Sequence, residues 1–388
     1  MATKVKSTES KNQVKEEESD SSKVWAELNK LMGGASFFRA DEDMTFDVKV
    51  IPTPSVALGH ASALFGLPRG KITQFHGAQG SGKTFLALLH IKEAQKEPGA
   101  EQLIIDTEDS FNMRWAEALG IDRSRLRVMR TNSGVEIFTA LCGKVNKEGK
   151  KVFQGITELV AEGKMNINLI VLDSIADLQP PAEENRGFDE MEMAALARFL
   201  PRALRVLRPK LAKANIAMIT INHLREGMNG AQPDFPGGRG YKHNLDIAVR
   251  VHASTAADGL LLDSKGEKVG HRVILTFEKN RFNVNKRQAE VWLDFRTGIV
   301  RIGEEVANIG ASYGIIQRPN NRTWILEDHN VVGKENFFEL LEGDNALRNR
   351  VIAKIEEAVR NGATVSVELS SEAAAERDKP STFEGEEA

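Results

Sequence analysis

The stretch Gly77-Ala78-Gln79-Gly80-Ser81-Gly82-Lys83-Thr84 decides the reading of this chain. It satisfies G-x-x-x-x-G-K-[ST] at every fixed position. Ahead of it, Lys71-Ile72-Thr73-Gln74-Phe75 alternates apolar and polar residues and predicts a strand. Behind it, residues 85–94 have apolar positions at helical spacing and predict a helix, with Phe85 directly behind the loop. Glycines at 77, 80 and 82 let several backbone N–H groups converge on one phosphate. The helix beginning near Lys83 adds its positive dipole end. Lys83 suits the β- and γ-phosphates, and the Thr84 hydroxyl suits Mg²⁺. A chance glycine-rich turn is the competing reading, and the flanking elements oppose it. The expectation is a site for a nucleoside triphosphate and Mg²⁺ over residues 77–85.

Two apolar runs end in acid. Leu103-Ile104-Ile105-Asp106-Thr107-Glu108-Asp109 and Asn168-Leu169-Ile170-Val171-Leu172-Asp173-Ser174 predict short buried strands. Runs apolar on both faces suit a parallel sheet, whose strands deliver their C-terminal ends to the ligand crevice. Asp173 is then the acid beside Mg²⁺. Glu108 stands where a carboxylate orients or deprotonates a water near the γ-phosphate, and a solvated acidic turn is the alternative. Trp115 lies in a short helix that Gly120 stops, and burial is the usual fate of tryptophan.

Charge and composition narrow the class. A formal net charge of −3 over 388 residues does not by itself advertise nucleic acid. Residues 370–388, however, hold six acids (Glu372, Glu376, Asp378, Glu384, Glu386, Glu387) against Arg377 and Lys379, so an acidic end masks a nearly balanced body. The single cysteine, Cys142, excludes an intramolecular disulfide and agrees with a reducing compartment. No apolar run approaches membrane-spanning length and the N-terminus lacks a signal-peptide core, so a cytoplasmic protein without membrane contact is expected.

Along the chain, residues 1–23 are expected to be a disordered tail. Val24 to Met32 predicts an amphipathic helix closed by Gly33-Gly34, and Phe46 to Ile51 a strand ended by Pro52 and Pro54. Residues 24–57 thus form an accessory element ahead of a core over 58–305. A basic loop is expected at 144–151 and a helix from Phe153 to Glu162. After a loop from Pro180 to Glu190, a helix carries Arg198, Arg202 and Arg205 on one face. Pro201 and Pro209 are expected to kink or interrupt it. Such a stripe is ordinarily a solvated face and alternatively grips a phosphate backbone. Asn215 to Asn222 predicts a strand delivering His223. Leu224 to Pro236 then lacks periodicity before Gly237-Gly238-Arg239-Gly240, and a loop of that length is functional or disordered. Strands follow at Ile247–Val251, Val273–Phe277 and Glu290–Phe295, with Lys279-Asn280-Arg281 leaving the second. A smaller α/β unit over 306–369 includes a helix from Ala346 to Val359, and 370–388 is an acidic disordered tail. There is no internal repeat.

In this order the parts resemble the RecA family of homologous-recombination ATPases, most nearly a phage-type recombinase of the RecA/UvsX kind, from about residue 24 to 360. The resemblance is carried by Phe65-Gly66-Leu67-Pro68-Arg69-Gly70-Lys71, Ile104-Ile105-Asp106-Thr107-Glu108, Val171-Leu172-Asp173-Ser174-Ile175-Ala176, Gly237-Gly238 and Lys279-Asn280-Arg281. It implies an α/β fold: a RecA-like P-loop ATPase core with a mainly parallel twisted sheet, an N-terminal protomer-docking helix and strand, and a small α/β C-terminal domain. It also implies a DNA-dependent ATPase that forms a helical homo-oligomeric filament on single-stranded DNA and exchanges strands with homologous duplex DNA. Single-strand-binding and mediator proteins are further partners of that kind.

Residue by residue, the resemblance makes Glu108 the catalytic glutamate and Trp115 the aromatic that stacks on adenine, where the family commonly has tyrosine. His223 stands where bacterial members have a γ-phosphate-sensing glutamine. Lys279 and Arg281 match the basic pair that reaches a neighbour's ATP. The loops at about 181–190 and 224–236 resemble the two that enter DNA, and Arg198 and Arg205 match DNA contacts. Arg202, Arg225, Arg239, Gly237 and Gly238 complete the expected DNA surface. The second loop is poor in positive charge, since Glu226 and Asp234 oppose Arg225, so Met228 and Phe235 are expected to wedge between bases. Residues 144–151 are longer than in bacterial relatives. Two readings from other classes stay open: a hexameric RecA-fold motor or remodelling ATPase, and a phosphotransferase whose site is complete within one chain.

Overall fold

The computed structural model describes residues 20–31, 48–181, 195–224, 234–283, 285 and 287–362. Most of the expected first DNA loop and most of the second with Arg225 and Met228 lie outside the described residues, as do 1–19 and 370–388, while residues 20–23, expected in the disordered N-terminal tail, are helical. Contacts divide the chain into Met1–Val48 and Lys49–Ala388. In the first unit one helix, Asp20–Leu31, begins ahead of the expected Val24.

The second unit opens with β1 (Val50–Pro52), which pairs antiparallel with β2 (Gly66–Pro68). Ile51, and Leu58 and Ala61 of the intervening helix Val56–Ser62, are buried in the main core. The expected accessory element over 24–57 is therefore split at Val48, because its strand is a core strand.

Next in chain order come β3 (Ile72–Gly77), β4 (Glu101–Asp106), β5 (Leu126–Arg130), β6 (Lys144–Val145), β7 (Lys151–Phe153), β8 (Ile167–Asp173) and β9 (Ala217–His223). They are followed by β10 (Ile247–Ala253), β11 (Leu260–Leu262), β12 (Lys268–Asn280), β13 (Gln288–Asp294) and β14 (Gly298–Val300). One ten-stranded sheet has the order β14-β13-β12-β10-β3-β9-β8-β4-β5, with β11 on β12. From β10 to β5 neighbours are parallel, while β12 to β14 extend the sheet antiparallel.

The period of two explains the layers. In β8, Leu169 and Val171 join the core on one face while Ile170 and Leu172 join the core on the other. A strand apolar at every position must be covered on both sides. The helix Lys83–Ala94 covers the first face through Phe85, Leu86 and Leu89. The helix Ala195–Ala214 covers the second through Leu200, Leu204, Leu207 and Leu211.

That second helix corrects an expectation. It continues through Pro201 and Pro209. Neither proline belongs to the buried stripe, and the packing of Leu200, Leu204, Leu207 and Leu211 on the sheet holds the helix together despite the hydrogen bonds the prolines cost. The loop expected at 144–151 is instead the hairpin of β6 and β7, and the helix after it is only Ile156–Ala161. The edge strand β5 and the helix Gly134–Cys142 had no expectation at all.

A separate cluster gathers around Trp324, which stacks on Phe337 with ring centroids 5.2 Å apart. It is built from the hairpin β15 (Thr323–Leu326) and β16 (His329–Val332) and from helices Ile302–Ser312, Lys334–Gly343 and Asn345–Arg360. Glu305 is buried there, accepting from Ser55 Oγ at 2.8 Å and Ala57 N at 3.1 Å.

Candidate functional site

The phosphate loop sits where β3 ends and the helix Lys83–Ala94 begins. Gly82 closes it at φ +97°, a conformation that a side chain resists. At Gly77 a Cβ would lie 2.2 Å from the Val251 carbonyl oxygen, so glycine is required by close approach of β10. Ala78, Gln79 and Gly80 are exposed on the loop. Lys83 is buried, and its ammonium donates to the carbonyls of Gly77 at 3.1 Å and Ala78 at 2.8 Å. Burial lowers its pKa, and the Asp173 and Glu108 charges partly restore it.

Asp173 ends β8 beside β4, and its Oδ2 accepts from Thr84 Oγ1 at 2.7 Å. Burial pushes its carboxyl up to about 6. A hydroxyl and a desolvated carboxylate form an oxygen-only donor pair of the kind a hard divalent cation takes. Ser81 Oγ, in the loop, is buried with no hydrogen-bond partner, as a group awaiting a polar ligand would be. These residues fit a nucleotide phosphate and Mg²⁺.

Glu108 follows β4, and His223 ends β9. His223 Nε2 donates to Glu108 Oε1 at 2.9 Å. That bond holds the Glu108 carboxyl at about 2, well below the usual carboxylate range. Asp177, which the sequence did not single out, joins them: the ligand atoms of Glu108, Asp177 and His223 lie within 4.8 Å of one another. Asp106 is engaged elsewhere, accepting from the backbone of Ser110 and Phe111.

Trp115 is half-buried and lines a small cleft with Thr84, Phe111 and Asp173. Its ring lies 5.4 Å from Phe85, and its Nε1–H donates to the Phe295 carbonyl at 3.2 Å. Phe295 and His271 complete this aromatic group, their rings edge-on at 5.1 Å. Both were missed. In sequence Phe295 reads as the last residue of a strand, and His271 falls just ahead of the strand expected at Val273–Phe277.

Lys279 and Arg281 lie away from this chain's own phosphate loop. Lys279 is opposite Ala248, which is beside Gln74, three residues short of Gly77 and two strands across. Strand geometry makes that separation roughly 14 Å, beyond a lysine's reach. Lys279 Nζ instead donates to the carbonyls of Lys242 at 2.8 Å and His243 at 3.2 Å. Arg281 bonds Asp246 at 3.0 Å and the His243 carbonyl at 2.9 Å.

Arg198, Arg202 and Arg205 are all exposed on one face of the helix Ala195–Ala214. The helix Gly238–Asn244 packs on the start of it: a Cβ at Gly238 would lie 3.0 Å from Ala197, and one at Gly240 would lie 2.7 Å from Pro201. Gly237, at φ +113°, and exposed Arg239 therefore stand near the arginine stripe. Phe235 is a correction. Expected as a base wedge, it is buried between His76, at 4.6 Å between ring centroids, and Tyr241, at 6.3 Å, because its ring joins the core on that face of the sheet.

Among the described residues no helix is long and apolar enough to cross a membrane. The family described as "RecA N-terminal domain" matches residues 21–300. Protein RecA of Chloroherpeton thalassium is 30% identical over 362 residues, covering 91% of this chain and 94% of that protein. Protein RecA of Mycoplasma mobile is 29% identical over 336 residues, covering 86% and 94%. Protein RecA of Saccharopolyspora erythraea is 29% identical over 349 residues, covering 89% and 94%. With a nucleotide loop, two acid-terminated parallel strands and this extent of likeness, the chain belongs to the RecA family of ATP-dependent DNA recombinases.

Proposed function

We propose that this chain binds ATP between protomers, assembles as a helical filament on single-stranded DNA and exchanges strands with a homologous duplex. The observation that carries the reading is the position of Lys279 and Arg281, out of reach of their own phosphate loop yet matching a pair that acts on a neighbour's nucleotide. Within one protomer, the loop 77–84 and Lys83 bind the phosphates, and Trp115 with Phe295 flanks the base. Glu108 orients the attacking water and accepts its proton, and His223, bonded to Glu108, senses the γ-phosphate. Thr84 and Asp173 would hold Mg²⁺, which when bound neutralises charge on the phosphate oxygens. Lys279 and Arg281 of the adjoining protomer complete the charge around the substrate. Arg198, Arg202, Arg205, Arg239 and the backbone at Gly237-Gly238 form the DNA-facing surface. Single-strand-binding and mediator proteins, and a bacterial or phage-infected cytoplasm, fit this activity.

Electron microscopy of the full chain with single-stranded DNA and ATP tests it. Helical filaments are expected, and Lys83→Ala should abolish them. Closed rings would favour the hexameric motor, and monomers a phosphotransferase.

A further inference from the structure

His76 immediately precedes the phosphate loop, and its side chain is fully buried. Three parts of the site meet on its imidazole. Along the backbone it is joined to Gly77. Across the sheet its Nε2 donates to Glu278 Oε2 at 3.0 Å. Against its ring packs Phe235, near the end of the expected second DNA loop, with centroids 4.6 Å apart.

The Glu278 contact depends on a fault in the strand pairing. In the register of β10 with β12, Ala248 faces Lys279 and Val249 faces Phe277, so Glu278 is one residue too many. A bulge of this kind re-aims the extra side chain. Here the carboxylate reaches His76, and the hydrogen bond holds Glu278 below its ordinary pKa. The next residue is Lys279. A neighbour's nucleotide that draws Lys279 from the carbonyls of 242 and 243 would therefore pull on the bulge, and through it on His76.

The Phe235 contact has room to change. Phe235, Glu278, Lys279, Lys242 and Arg250 line an open cleft of about 360 Å³. Lys242 lies over the Phe235 ring at 4.8 Å and pairs with Asp234. A second strand of contacts runs beside the first. Gln74 Nε2 reaches His76 Nδ1 at 3.4 Å, and Asn222, next to His223, donates to Gln74 Oε1 at 3.3 Å and to the Pro236 carbonyl at 3.0 Å.

We propose that His76 is a positioning residue that couples the phosphate loop to the second DNA loop and to Lys279, through its bond to Glu278 and its packing on Phe235. The proposal rests on the recombinase reading above. His76 touches neither nucleotide nor DNA; it sets how much each one's presence alters the other. Contiguous packing and hydrogen bonds between two sites can carry coupling between them.

The experiment measures ATP hydrolysis by the full chain with and without poly(dT), and poly(dT) affinity in the presence of a non-hydrolysable ATP analogue and of ADP. His76→Phe keeps the ring and loses the donor. Glu278→Ala removes the acceptor from a half-exposed position, so it tests the same bond without disturbing the core. Both should keep DNA-free hydrolysis near wild type. Both should lower stimulation by poly(dT) about five-fold or more, the lower end of usual coupling strengths, and narrow the ATP-to-ADP affinity gap by a similar factor. The double variant should be no worse than either single one, since they break one bond. His76→Gln, which restores an amide donor, should recover part of the stimulation. Wild-type stimulation in both single variants would overturn the proposal, as would equal loss of DNA-free and DNA-stimulated rates, which marks mere damage to the phosphate loop. No poly(dT) stimulation in the wild type would overturn the recombinase reading and the coupling with it.

Discussion

His223 donates from Nε2 to Glu108 Oε1 across 2.9 Å, joining the end of one parallel strand to the loop after another. The bond keeps Glu108 anionic at any physiological pH, since its carboxyl titrates at about 2. It also fixes the direction in which the carboxylate points, and both features suit the proposed water-orienting role.

Glu108→Gln should preserve shape and lose the base. ATP binding and filaments on DNA are expected to persist while hydrolysis falls about 10²–10⁴-fold. Steady-state turnover alongside microscopy checks this. Unchanged turnover would hand the role to another group, and Asp106 is a poor candidate because two backbone N–H groups already occupy it.

Lys279 and Arg281 should act across the protomer boundary. A Lys83→Ala chain and a Lys279→Ala/Arg281→Ala chain are each expected to be inactive alone. Mixed together, some junctions pair an intact phosphate loop with an intact basic pair, and hydrolysis should partly return. Proven co-assembly with no recovery would count against a shared site.

The arginine stripe makes a prediction in salt. Each phosphate contact contributes roughly 0.7 to the salt slope of single-strand binding. Arg198→Ala with Arg205→Ala should weaken binding similarly on any base sequence and flatten that slope by about 1–2 units. Titrations over a range of salt concentrations decide it, and an unchanged slope would make the stripe a solvated face.

Glu305 predicts how stability varies with pH. Burial raises its carboxyl from 4.5 to about 7. Between those values the folded chain keeps a proton that the unfolded chain has released, so stability falls as pH rises from about 4.5 to 7, by ~3 kcal/mol at most. Glu305→Gln keeps an acceptor for Ser55 and Ala57 without the charge. Its denaturation midpoint should match wild type near pH 4.5 and exceed it at pH 8. Parallel midpoints across that range would show that Glu305 is not the group responsible.

What the sequence by itself determined is local. Gly77 to Thr84 dictates a phosphate-binding turn because backbone reach and glycine conformations are set within eight consecutive residues. Runs such as Leu169 to Asp173, apolar at successive positions and ended by acid, demand a parallel sheet covered on both faces with carboxylates at one end. The tertiary structure decided whatever depends on which strands lie side by side. Only the order β12-β10-β3 removes Lys279 from its own phosphate loop, and only one surplus residue in β12 turns Glu278 onto His76. Phe235, next to a loop without periodicity, reads as a free wedge until the packing of His76 and Tyr241 encloses it. Pro201 and Pro209 read as breaks until the leucine face of their helix meets the sheet. Local patterns state what each segment requires for itself. Pairing register and side-chain packing join residues far apart in the chain, and their energies depend on both partners at once.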